Sequence, residues 1–171
     1  MNQDPQTLYK LIVLYMLDRV DFPLTKAQIG DFILDKGYTN FLVLQQIISE
    51  LIDADMNTAQ TYRNRTHLTL TKEGRDTLSF FEKRISDSVR EEIDAYLQER
   101  KMELRNDVSV YADYEKTAAG DYCTRMIAKE KETVLVEVHL TVPTEEAAMA
   151  VCEKWMKKNQ EVYQSLIMNL F

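Results

Sequence analysis

Residues 24–72, LTKAQIGDFILDKGYTNFLVLQQIISELIDADMNTAQTYRNRTHLTLTK, constrain the fold of this chain more than any other stretch. Thr25 with Gln28 three residues later is a capping-box pattern, and Ile29, Phe32 and Ile33 follow at helical spacing, so a short helix with one apolar face is predicted. Lys36-Gly37-Tyr38 ends it, with Gly37 where a left-handed residue closes a helix. Thr39 or Asn40 caps the next helix, in which Phe41, Leu44, Ile48 and Leu51 share one face, flanked by Ile47 and Ile52. The periodicity then falls to two. Residues 57–62 predict a strand, Arg63-Asn64-Arg65 a polar tip, and residues 66–70 a returning strand with Leu68 and Leu70 turned inward.

Helix, turn, helix and basic-tipped hairpin is the order of a winged helix-turn-helix, and it makes DNA binding the leading expectation. The outward side of the second helix of the stretch is expected to hold Asn40, Val43, Gln45, Gln46, Ser49 and Glu50. Asn and Gln can bond an adenine edge in bidentate fashion and Val can touch a thymine methyl. Thr25 and Lys26 at the first helix, with Arg63 and Arg65 on the wing, are the candidates for holding phosphates. The recognition helix itself contains no Arg or Lys. A solvated polar face, or a winged fold serving as a protein–protein interaction module, therefore stays open beside the DNA reading.

Charge sharpens that choice. The chain of 171 residues has a net charge of −7, which argues against a general nucleic-acid coater. Residues 1–85 hold 10 Lys and Arg against 11 Asp and Glu, and residues 86–171 hold 11 against 17, so the acidity belongs to the C-terminal half. An apolar content of 45% suits a globular chain with a real core. No apolar run is long enough to span a bilayer, and MNQDPQ has neither a basic lead nor a hydrophobic signal stretch, so a cytoplasmic protein with no membrane partner is expected. Cys123 and Cys152 are far apart and lack Cys or His neighbours at ligand spacing. Two reduced thiols, no metal and no cofactor are the expectation.

Before the winged stretch, Pro5 opens a helix in which Leu8, Leu11, Ile12, Tyr15 and Met16 recur. Val13, Leu14 and Leu17 make it apolar nearly all round, as in a helix buried on several sides. After it, Thr71 caps a helix carrying Leu78, Phe81 and Ile85. Ser88 with Glu91 predicts the start of another, with Val89, Ile93, Tyr96, Leu97 and Leu104 as its stripe. Val108, Val110, Ala112 and Tyr114, then residues 122–128, then Val134, Val136, Val138, Leu140 and Val142 predict a three-stranded antiparallel meander. Thr144 caps a helix burying Ala148, Val151, Cys152 and Trp155, and a last helix is read from 159 to 170 with Val162, Leu166 and Leu170. Glu137 and His139, two residues apart on one strand near Arg125, are the one pair suggestive of proton transfer. A cross-strand polar face explains them more simply, so no enzymatic role is expected.

The segments TKAQIGDFI, FLVLQQIISELIDADM and LTLTKEGRDTL, the last containing Leu70-Thr71-Lys72-Glu73-Gly74, resemble bacterial winged-helix regulators of the multiple-antibiotic-resistance and phenolic-acid-repressor kinds. Over its full length the chain resembles an uncharacterised bacterial winged-helix family of unknown function. The resemblance implies DNA contact by the helix from 39 to 53, with Thr39, and by the wing from 62 to 67, with Tyr62, Asn64, Thr66 and His67. Asp53-Ala54-Asp55-Met56 departs from the Glu-x-Gly-aliphatic exit usual there. The expected fold is α+β: a winged helix-turn-helix over 1–85, a linker or dimerisation helix over 86–106, and a β-β-β-α-α unit over 107–171 for dimerisation or sensing of a small-molecule effector. The expected function is transcriptional regulation by a homodimer on double-stranded DNA.

Overall fold

A computed structural model describes residues 4–62, 64–131 and 133–171, and of Tyr62 the backbone alone. Among the described residues the chain is α+β, with six α-helices and two three-stranded antiparallel sheets. It divides into two compact units, Met1–Arg105 and Asn106–Phe171. No described helix is long and apolar enough to cross a membrane.

The first unit is built around α1, Pro5–Asp18. Asp4 accepts a hydrogen bond from the Gln6 N–H and Pro5 fills the first helical position, where its missing N–H costs nothing. Every residue from 11 to 17 is buried, because α1 is packed by α3 (Phe41–Asp53), by α4 (Lys72–Phe81) and by β3 (Arg65–Leu70). In α2, Lys26–Asp35, both halves of the capping box form: the Gln28 N–H donates to Thr25 Oγ1 at 3.1 Å, and the Thr25 N–H to Gln28 Oε1 at 2.9 Å. Gly37, at φ +69°, closes α2 with two bonds, its own N–H to the Leu34 carbonyl and the Tyr38 N–H to that of Ile33.

Asn40, rather than Thr39, caps α3, its Oδ1 accepting from the Val43 N–H at 3.0 Å. The same two-bond closure ends this helix, Met56 N–H to Leu51 and Asp55 N–H to Ile52. Here Asp55 sits at φ +56°, where a Cβ is disfavoured, and its carboxylate lies at the negative end of the helix dipole. Asp55→Gly is therefore expected to stabilise the protein by about 1 kcal/mol. Asp55→Asn should give roughly half of that, because Asn tolerates the left-handed region and removes the charge. Urea midpoints would show both, and an unchanged midpoint for the glycine variant would refute the account.

The hairpin pairs β2, Asn57–Tyr62, with β3 in the register Ala59↔Leu68 and Tyr62↔Arg65. A third strand, β1 (Leu24–Thr25), adds to the other side of β3 through Leu24↔Leu68. Two residues carry no periodicity, so nothing in the sequence announces this strand. α4 is capped by Thr71, whose Oγ1 accepts from the Gly74 N–H at 3.0 Å, and is followed by a 3₁₀ turn, Glu82–Arg84.

α5, Asp87–Ser109, is capped two residues earlier than the Ser88–Glu91 pattern suggests: Ser86 Oγ accepts from the Val89 N–H. Over residues 86–106 it is less a bare connector than a layer of the first unit. Ile93, Leu97 and Leu104 are buried, and the Tyr96 ring centre lies 5.0 Å from that of Phe32. Tyr15 donates to Asp94 at 3.1 Å, and Tyr38 to Glu92 at 3.1 Å. Burial, ahead of the competing hydrogen bonds from Arg19 and to Asp94, pushes the Tyr15 hydroxyl pKa up. Helix continues to Ser109, so the first strand of the second unit begins at Val110 and Val108 belongs to α5.

The second unit is the predicted meander, β4 (Val110–Lys116), β5 (Tyr122–Glu130) and β6 (Thr133–Val142), in the order β4-β5-β6 with an irregularity at Ala128/Lys129. One helix, not two, follows. α6 runs unbroken over Glu145–Leu170, 26 residues, so the β-β-β-α-α expectation is corrected to β-β-β-α. Asn159 reads as a helix start in the sequence, but its Nδ2 donates back to the carbonyls of Trp155 at 3.0 Å and Met156 at 3.2 Å. No Gly or Pro interrupts the helix. Its first half closes the core on Ala112, Met126, Ala128, Cys152 and Trp155.

Candidate functional site

One groove of about 350 Å³ opens between α2, the first turns of α3 and the β2–β3 hairpin. Six of the residues singled out in the sequence line it: Thr25, Lys26, Gln45, Asn64, Arg65 and Thr66. Its floor is apolar, formed by Ala27, Gly30, Leu34, Phe41 and Leu44. Lys26 and Arg65 supply positive charge at the rim and Asp31 one carboxylate. The N-terminal turn of α2 also opens onto it, and the backbone N–H groups of a first helical turn favour an anion.

Each part is placed by local chemistry. The capping box fixes the first turn of α2, and the closure at Gly37 sets the angle at which α3 leaves α2. Asn64, in the left-handed region at φ +63°, turns the chain at the hairpin tip, and the Tyr62↔Arg65 pairing brings Arg65 back toward the helices. Arg63 lies outside the described residues, as does the side chain of Tyr62.

Several expected contacts are reassigned. Thr25 is buried and its hydroxyl is engaged by the Gln28 N–H, so that side chain caps α2 and is not presented to a phosphate. His67 is buried in the sheet. Thr39 and Val43 are half-buried, and Asn40, although exposed, has its carbonyl oxygen engaged as the α3 cap. Gln46 donates to Glu50 at 2.8 Å, and Glu50 is half-buried and bridged by Lys10 at 2.6 Å. Those two hydrogen bonds, Lys10 first, hold the Glu50 carboxyl below its ordinary pKa.

Phe41 is the largest correction. Expected on the inner face of α3, it is 60% exposed, and neighbouring Leu42 is 78% exposed. The buried arc is narrower, Leu44, Ile47, Ile48 and Leu51, and it begins only after the first turn of α3. The solvent side of α3 is thus Phe41, Leu42, Gln46, Ser49 and Asp53, with Gln45 half-exposed at the groove. The groove floor has its own, fainter signal in the sequence: Ala27, Gly30 and Leu34 recur at i, i+3 and i+7, a second, smaller apolar row on α2 beside the one through Ile29, Phe32 and Ile33.

In the second unit, Glu137 accepts from Arg125 Nε at 2.7 Å and lies 2.9 Å from His139 Nε2. The Arg125 bond, then His139, holds the Glu137 carboxyl below its usual pKa. Arg125 pairs in register with Asp113 on one side and His139 on the other, so these residues form a cross-strand polar row. Among the described residues, no three His, Cys, Asp or Glu side chains gather as a metal ion would require.

Comparison with known families gives a match over residues 9–170 to a domain of unknown function, DUF4364. The chain belongs to the DUF4364 family. No curated protein and no solved structure matches it significantly. Since the match spans both units, the groove and the C-terminal sheet lie within one family domain.

Proposed function

We propose that this DUF4364 protein is a DNA-binding regulator whose first unit acts as a winged helix-turn-helix of the multiple-antibiotic-resistance or phenolic-acid-repressor kind, and that it works as a homodimer on double-stranded DNA. The observation that carries this reading is the convergence of Lys26, Gln45, Asn64, Arg65 and Thr66 on one groove between two helices and a hairpin. In such a module α3 approaches the major groove while the hairpin follows the backbone. Lys26, Arg65 and the first turn of α2 then hold phosphates of one strand. Gln45 reaches a base edge, and Phe41 and Leu42 meet the apolar thymine methyls.

The test is fluorescence anisotropy with random-sequence duplex DNA across a salt series. Binding should weaken steeply with salt, and Lys26→Ala/Arg65→Ala should make the log–log slope shallower by about 2, roughly 0.9 for each phosphate no longer neutralised. Absence of binding at low salt by the folded protein would sink the proposal.

A second reading rests on a different observation. Phe41 and Leu42 give α3 an exposed apolar end, and α3 contains no Arg or Lys. A helix that presents aromatic and aliphatic groups and no cation also suits a partner protein. Under that reading Phe41→Ala abolishes partner capture while Lys26→Ala/Arg65→Ala leaves it intact.

A further inference from the structure

The apolar stripe of α6 continues beyond the core it seals. Ala148, Cys152 and Trp155 are buried and Val151 half-buried, whereas Val162, Leu166 and Leu170 continue the row at 37–74% exposure, with Ile167 at 40% on its flank. Charge stops where exposure begins. After Lys157, Lys158 and Glu161 the helix carries no charged residue through residues 162–171, in a chain that is 29% charged. A solvated helix end would carry charges along its length; this one presents a charge-free apolar edge.

We propose that the C-terminal half of α6 is a self-association surface that pairs antiparallel with the same segment of a second copy, across a two-fold axis near Leu166. This deepens the homodimeric part of the function proposed above and does not depend on the DNA part. Three features select the occupant. A two-fold contact requires a self-complementary strip, and the spacing of Val162, Leu166 and Leu170 provides one: Leu166 meets its copy while Val162 meets the partner's Leu170.

Orientation follows from charge. Parallel pairing would set Lys157, Lys158 and Glu161 beside their own copies, like against like. Antiparallel pairing centred on Leu166 separates those residues from their own copies and also opposes the two helix dipoles. Area sets the strength. At roughly 175 Å² per large apolar side chain, the exposed fractions of Val162, Leu166, Leu170 and flanking Ile167 come to about 330 Å² per chain, or about 660 Å² for the pair. That is the size of a weak, transient contact, so a dimer populated only toward about 100 µM is expected.

Sedimentation velocity across a concentration series tests this on the full chain. Wild type should pass from monomer to dimer, and Leu166→Asp should weaken association by at least about 100-fold, since two carboxylates would face each other across the axis. Far-UV circular dichroism should be unchanged, because Leu166 lies outside the core cluster of the second unit. Leu166→Cys should form a disulfide-linked dimer on mild oxidation, beyond any linkage by Cys123 and Cys152 in wild type. A wild-type protein that stays monomeric at about 200 µM, or a Leu166→Asp variant that dimerises as wild type does, overturns the proposal. Anisotropy with the Lys26/Arg65 variant reads the DNA function separately, so the two can fail independently.

Discussion

Gly74→Ala is expected to cost the first unit about 3 kcal/mol and to be among the most damaging conservative changes in the chain. A Cβ on Gly74 would lie 2.0 Å from the Met56 carbonyl oxygen, 2.9 Å from its carbonyl carbon and 2.8 Å from Leu70 Cδ1. Two of those three neighbours are backbone, so no rotamer change relieves the clash. The Met56 carbonyl also accepts the Thr71 N–H at 3.2 Å, and Thr71 in turn caps α4 through the Gly74 N–H. Moving α4 away therefore breaks the junction between the α3 exit, β2 and the α4 cap together. Alanine's better helix propensity returns only about 1 kcal/mol. Urea denaturation followed by circular dichroism would measure the loss, and a change below about 1 kcal/mol would mean that α4 slides freely at this contact.

The Leu70-Thr71-Lys72-Glu73-Gly74 segment shows what a sequence can and cannot disclose. Thr71 is legible as a cap, since a cap is local chemistry. The demand for a glycine three residues later is not, because it comes from the carbonyl of Met56, far back along the chain. The same division runs through the fold. The capping box at Thr25, the cap at Thr144 and the helix stop at Gly37 are legible, the α3 cap to within one residue, as are the alternations of the meander. The α3 exit is legible as a stop only because strand periodicity follows it, for Asp55 takes the place of a glycine at a strained φ. β1 is invisible, being held by its partner strand and by nothing in its own two residues. α6 is read as split at Asn159, although nothing there breaks a helix.

The candidate site divides the same way. Its polar members, Lys26, Gln45, Asn64, Arg65 and Thr66, stand out by residue type and neighbourhood. Its apolar floor does not, because a second short row on α2 looks like spare core. Extrapolating the α3 stripe one turn too far puts Phe41 inside. Periodicity gives the direction in which a side chain leaves its helix, but whether anything stands there to cover it depends on the tertiary partner.

Trp155→Ala should unfold the second unit preferentially, with a loss of about 4 kcal/mol within it. The unit, Asn106–Phe171, has a small core of Ala112, Met126, Ala128, Cys152 and Trp155, in which the indole is by far the largest group. Removing it leaves a cavity bordered by two alanines, which are too small to collapse into the space. It also deprives the Ile127 carbonyl of the Trp155 Nε1 donor at 3.2 Å. Trp155→Phe keeps most of the volume and loses only the donor, so about 1–2 kcal/mol is expected from it. A domain of this size has little stability to spare, and the alanine change should exhaust most of it. The first unit has a core of its own around α1, so urea melts of the variant by circular dichroism should separate into two steps. Hydrogen exchange would locate them, with β4, β5, β6 and α6 losing protection while α1 and α3 retain it. Equal loss of protection in α1 would show that the two units unfold as one cooperative body.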